Sequence, residues 1–346
     1  MAMQRTSITL GWRGTVLLAA WLAHAPQARA QLPPGLAYSG RASWNAASGE
    51  LTFESSGAMP EEREAFYWQV PAEVRRIAIA SNVTVRGGFR VPFRKADNPL
   101  LIAGRDRQTS VIFGTETEQW SVRNGIADNA KWKYGAVCVL ADATVIVSNL
   151  TSRNPRAYHL SGYARRAVLH VSRCDLLDDR PGSNNNSDGF AGGDGSTLSD
   201  CFISTGDDAV KVYRDITLRN VTIEQHRNGA PLQFGWGGAN ARTRAVIEGL
   251  TITGVSPDGR YNMAPFSWVG GSNGCCDVTL RGLKVAVAGD LYDSEAKRWV
   301  PMALVHVRPP SCTLNLTVTG ADVGGLTWGA RNSRGRVTVN GSTPTE

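Results

Sequence analysis

A right-handed parallel β-helix, all-β and single-stranded, is the fold that this sequence predicts, on three observations. Short runs of alternating apolar and polar residues, the periodicity of strands, fill most of the chain. Asn, Asp or Gly interrupts these runs at a matching place in one segment after another. Those places recur every 20 to 33 residues, the length of one coil in a stacked repeat.

Taken in order, the chain begins with a targeting pattern. Arg5 and Arg13 precede the apolar run from Val16 to Ala23, and Ala28-Arg29-Ala30 follows. A positive start, a short apolar core and a small-x-small site predict a secretory signal peptide over 1–30, cut after Ala30. The run is too short for a bilayer, which needs about 20 apolar residues. The expected product is exported, secreted or periplasmic, with no membrane partner. Residues 31–58 read as an extended lead-in, and 59–346 as one β-helix domain. Within it, Met59 to Arg76 is the least strand-like stretch and is expected to plug the first coil, hiding an open sheet edge. Trp120 to Lys133 reads as a projecting loop, and the Gly-rich stretches 191–195 and 235–238 as surface turns.

The interrupting positions are Asn149, Arg173, Asp200, Asn220, Gly249, Gly282 and Asn315. Asn, Asp and Gly tolerate the left-handed backbone conformation, so each is expected to mark a tight bend between two short strands. Arg173 breaks that rule. The apolar residues around the bends should stack into inward ladders, because no single coil can bury its own apolar face. An antiparallel sandwich also uses many short strands. Hairpin signals such as Asn-Gly between alternating runs are scarce here, which favours the coil.

Composition narrows the function. Hydrophobic residues make up 42% and charged residues 19% of the 346, enough for a large core. The net charge of +7 is diffuse, without a dense basic block, so no nucleic-acid partner is expected. The six cysteines include no C-x-x-C pair, so neither zinc nor redox chemistry is supported. Cys174 and Cys201 fall at the same place in successive repeats and read as stacked core residues. A monomer without cofactor or metal is expected.

Two short acidic runs carry the chemistry: Asn186-Ser187-Asp188-Gly189 and Thr205-Gly206-Asp207-Asp208-Ala209-Val210-Lys211. Asp188 and Asp207 are 19 residues apart, about one coil, so three carboxylates should meet on one patch. Asp207 and Asp208 would face opposite sides of a straight strand. Gly206 permits the bend that lets both reach one side. Clustered carboxylates repel, so one should hold a proton near neutral pH. A protonated acid beside ionised bases is what cleavage of a glycosidic bond requires. Ordinary turn chemistry and a calcium site are the alternatives that the residues themselves leave open.

From Arg153 to Tyr213 the chain resembles the polygalacturonase-type β-helix glycosidases: Asn154-Pro155, a segment with His159, a strand to Cys174, then Asn-Ser-Asp-Gly and Gly-Asp-Asp. Asp207-Asp208-Ala209-Val210-Lys211-Val212-Tyr213 and Pro231-Leu232-Gln233-Phe234-Gly235-Trp236 are more similar to the dextranase and isopullulanase family, glycoside hydrolase family 49. The strong match covers roughly residues 145 to 255. Gly-His-Gly and Arg-Ile-Lys, which handle the uronate in polygalacturonases, are missing from these residues, and a β-sandwich of the kind that usually precedes the dextranase β-helix is not expected ahead of the first coil. The resemblance implies an inverting glycoside hydrolase acting on an α-glucan or similar polysaccharide, with a polygalacturonate-type hydrolase or lyase and a non-catalytic glycan-binding protein as alternatives. It implies Asp207 as general acid, with Asp188 and Asp208 holding the attacking water. Lys211, Tyr213, Gln233 and Trp236 are the candidate substrate-binding residues. Inversion needs about 6.5–9.5 Å between acid and base, and a sideways offset between coils is the expected source of that gap. His226 reads as a surface residue.

Overall fold

The computed structural model describes residues 32–60, 67–116, 135–162, 164–180, 187–235, 240–270, 273–329 and 333–343. The described residues are all-β, with no helix, and the strands form a parallel β-helix. One coil shows the plan. Ala143–Ser148 is followed by a bend at Asn149, the strand Thr151–Arg153 and then Tyr158–Gly162 in a second sheet. The chain next returns as Ala167–Ser172, which lies parallel beside Ala143–Ser148. Repetition of this path gives an 18-stranded sheet and a 10-stranded sheet whose strands follow one another in chain order.

The core is the ladder that the sequence pattern predicts. Val147, Val171, Leu198, Leu218, Ile247, Leu280 and Val318 stand above one another in register, and all are buried. Fully burying one such side chain stabilises by about 1.5–3 kcal/mol. Two residues beyond each rung, the chain turns through a left-handed residue. Asn149, Arg173, Asp200, Asn220, Gly249, Gly282 and Gly320 have φ of 55°, 52°, 53°, 50°, 69°, 69° and 64°. Arg173 therefore adopts the bend conformation even without a favourable side chain, because the register on both sides imposes it. The final bend is at Gly320, not at Asn315. Asn315 sits inside the strand Cys312–Asp322, where its amide donates to Asp277 Oδ1 at 2.9 Å. The Asn-x-Thr triplet there is strand, not corner.

The coil starts earlier than expected. Glu50–Phe53 forms an antiparallel hairpin with Ala42–Asn45 and also pairs in parallel with Arg76–Ile79. Leu51 and Phe53 are fully buried, so the end of the expected lead-in belongs to the first coil. Tyr67–Gln69, within the expected plug, is the first strand of the 10-stranded sheet. The signal-peptide segment, residues 61–66, the Trp120–Lys133 loop and Trp236 lie outside the described residues. Among those described, no helix is long and apolar enough to cross a membrane. All six cysteines are free thiols. Cys174 and Cys201 stack on neighbouring coils, the Cys174 N–H donating to Cys201 Sγ at 3.5 Å.

Candidate functional site

The acidic runs lie where the chain enters the 10-stranded sheet. Leu160, Phe190 and Val210 stand in register on successive coils, which places Tyr158, Asp188 and Asp208 in one stack two residues earlier. Backbone bonds tie this edge together. The Asp188 carbonyl accepts from His159 N–H at 2.8 Å, and Gly189 N–H donates to the Asp208 carbonyl at 2.9 Å. Both glycines of the corner's neighbours are needed for space. A Cβ on Gly189 would lie 2.3 Å from the Ala209 carbonyl oxygen, and one on Gly229 would lie 2.0 Å from the Asp207 carbonyl carbon.

One carboxylate oxygen from each of Asp188, Asp207 and Asp208 lies within 4.8 Å of the others. The bend after Gly206 therefore does bring Asp207 and Asp208 to the same side. The expected sideways offset does not occur. Parallel pairing stacks Asp188 directly over Asp208, because the same ladder register runs through both coils.

Burial separates the three acids. Asp188 is 4% exposed and Asp208 3%, whereas Asp207 is partly exposed. Lys211 Nζ lies between the two buried acids, 2.9 Å from Asp208 Oδ2 and 3.1 Å from Asp188 Oδ1. Asp208 Oδ1 accepts from the Ala230 N–H at 3.0 Å, so both its oxygens are engaged. The Tyr158 hydroxyl bonds to Asp188. The ammonium supplies the positive charge that a calcium ion would bring to such a cluster.

These surroundings set the protonation states. Burial, reinforced by the charge on Asp208, pushes the Asp188 carboxyl up to about 6 against the pull of Lys211. Burial works against the Lys211 charge too, yet Asp188 and Asp208 outweigh it and hold the ammonium well above its ordinary range. Burial raises Tyr158 and Tyr213, keeping both phenols protonated. Asp188 is shifted in the direction that the sequence-based expectation of a retained proton requires, but at about 6 its carboxyl is largely ionised at pH 7.

Of the candidate substrate-binding residues, Lys211, Gln233 and Tyr213 bond to one another. Gln233 Oε1 accepts from Lys211 Nζ at 3.0 Å and from the Tyr213 hydroxyl. Gln233 lies beside Lys211 in the next strand, so it holds the ammonium from the coil beyond, as Asp188 does from the coil before. His226 is half-buried rather than a surface residue, its Nε2 sharing a hydrogen bond with Ser204 Oγ at 2.9 Å. His159 is fully enclosed, and burial lowers it to about 3, so it is neutral and bonds to Ser152.

Tyr158, Gly229 and the Ala230 N–H are site components that the sequence reading missed. Each lies one coil from an acid, so a residue-accurate register for the second sheet would have found them. Its strands, as short as Phe190–Ala191, carry too few residues to show a period. No protein-family model matches the chain, and no curated protein is significantly similar to it.

Proposed function

We propose that this protein is an exported glycoside hydrolase that cleaves O-glycosidic bonds of a neutral polysaccharide, an α-glucan of dextran or pullulan type, with inversion. The observation that carries this reading is the meeting of three carboxylates within 4.8 Å, one of them pushed up to about 6 by burial. In the reactive form one proton sits on Asp207 while Asp188 and Asp208 are ionised. Asp207, the partly exposed acid, delivers it to the leaving glycosidic oxygen as that C–O bond breaks. Water held by Asp188 and Asp208 attacks the anomeric carbon and gives its own proton to Asp188.

Spacing alone would suggest retention, since inverting pairs usually stand about 6.5–9.5 Å apart. Burial argues otherwise. Retention needs a carboxylate oxygen to bond directly to the anomeric carbon, and Asp188 and Asp208 are only 4% and 3% exposed. Asp208 also spends both oxygens on Lys211 and Ala230. A water molecule fits such a recess better than a sugar ring does. Charge favours a neutral substrate, because three carboxylates face one ammonium and a uronate would be repelled. A lyase would need an uncharged base, and Lys211 is held as the ammonium.

The test is release of reducing ends from dextran, pullulan, polygalacturonate and sulfated galactans, with Asp207→Asn and Asp188→Asn beside the wild type. Both variants should fold and lose about a hundredfold or more of the rate. NMR of the first product should show the inverted anomer, and EDTA should leave the rate intact. Full activity in both variants would end this reading.

A further inference from the structure

Joined to the acidic cluster through Ser187 is a second charged group that the proposed chemistry does not use. Asp178 and Arg180 form an ion pair whose side chains are 0% and 4% exposed. Arg180 Nε donates to Asp178 Oδ1 at 2.9 Å, and its Nη2 donates to the Pro155 carbonyl at 2.9 Å. Removing two charges from water this completely costs several kcal/mol unless further bonds compensate. One such bond is to Ser187, whose hydroxyl meets the Asp178 carboxylate.

The direction of that bond follows from chemistry. An ionised carboxylate only accepts, so the Ser187 hydroxyl spends its proton on Asp178. Its lone pairs are then free to accept, and Gly206 N–H donates to Ser187 Oγ at 2.9 Å. Ser187 directly precedes Asp188, and Gly206 directly precedes Asp207. From the far side of the same corner, the Thr205 hydroxyl donates to the Asp207 carbonyl at 3.0 Å. A single fully buried hydroxyl therefore joins the two acidic segments across one coil step.

We infer that Asp178 and Ser187 are positioning residues: the Asp178–Arg180 pair orients the Ser187 hydroxyl, which pins the Gly206 peptide and so fixes where Asp207 points. This rests on the glycosidase reading of the cluster. The proton-delivering acid directly follows Gly206, so where the pin holds that peptide helps to set the direction of the Asp207 side chain. A displacement of about 1 Å at such a group can cost a hundredfold in rate.

Ser187→Ala removes the hydroxyl and adds no bulk. Amide hydrogen exchange should show Gly206 N–H exchanging about tenfold faster or more, while Gly189 and Ala209, held by backbone bonds, keep their protection. On a glucan that the wild type cleaves, kcat per folded molecule should fall about tenfold or more with KM unchanged. Asp178→Asn should act in the same direction, and the Ser187→Ala/Asp178→Asn double variant should be no slower than the slower single, because both act through one link. If Asp178→Asn does not fold, by circular dichroism, the Ser187→Ala measurements decide alone. Unchanged Gly206 exchange, or faster exchange with kcat intact, overturns the inference while the glycosidase reading stands. A wild type inactive on every glycan removes the glycosidase reading itself, and the positioning role falls with it.

Discussion

Two kinds of corner hold this molecule together, and they tolerate change very differently. The bends of the 18-stranded sheet recur at Asn149, Arg173, Asp200, Asn220, Gly249, Gly282 and Gly320, always with positive φ. Four residue types fill one role there, because the ladders on both sides dictate the geometry. The corner at Gly206-Asp207-Asp208 occurs once. Ser187 and Thr205 hold it from two sides, the Gly229 backbone packs against its peptide, and the Ala230 N–H fixes Asp208. A repeated position is set by the average of many coils, whereas a singular one is set by its own contacts.

The largest test of that contrast is Lys211→Met. It leaves two stacked, buried carboxylates without their shared cation, and breaking such a pair costs about 3–5 kcal/mol. Urea denaturation should show the loss at pH 7, and less of it at pH 5, where a carboxyl can accept a proton instead. Equal losses at both values would mean that the ammonium is not balancing the acids.

Gly229→Ala comes next. Its Cβ would collide with the Asp207–Asp208 peptide at 2.0 to 2.5 Å, and overpacking of this kind costs about 1–3 kcal/mol. Reducing-end release should drop further than the stability change explains, since the displaced peptide carries the acids. Gly195→Ala, with open space around it but φ of +86°, should cost stability and leave the rate per folded molecule unchanged.

Much of the first kind of corner was legible in the sequence and little of the second. Val147, Val171 and Leu198 sit two residues before Asn149, Arg173 and Asp200, so the ladder and bend can be read together. The Asn315 error shows the limit: Asn-Leu-Thr copies the local motif five residues from Gly320, and only pairing across coils tells them apart. Asp188, Asp207 and Asp208 were legible because their one-coil spacing survives in the numbering. Tyr158 and Ser187 were not, because their roles depend on which side chain faces which across strands of two to five residues.

A smaller effect concerns pH. The Asp188 carboxyl is raised from 3.8 to about 6. For an acid raised in the folded state, the contribution to stability is full below about 4 and is lost as pH rises through about 6. Catalysis runs the other way, because Asp188 must be ionised to take the water's proton, so the rate should fall as pH drops through 6. Asp188→Asn should flatten this part of the stability profile. A wild-type rate that is flat from pH 5 to 7 would remove Asp188 from the base role.

The smallest expected effect lies at Arg173. Replacing it with Gly relieves a left-handed φ of 52° that costs a non-glycine residue about 1–2 kcal/mol, offset by about 0.5–1 kcal/mol of extra chain entropy. A gain of up to about 1.5 kcal/mol in urea denaturation, with no change in rate, would confirm that this bend serves only the scaffold.

The proposed active centre draws on four successive turns of the solenoid, from Tyr158 to Gln233. Such an architecture can grow or shrink by whole windings at either end while the chemistry stays put. Length of the binding surface and identity of the reaction are thereby separate variables, free to change one at a time.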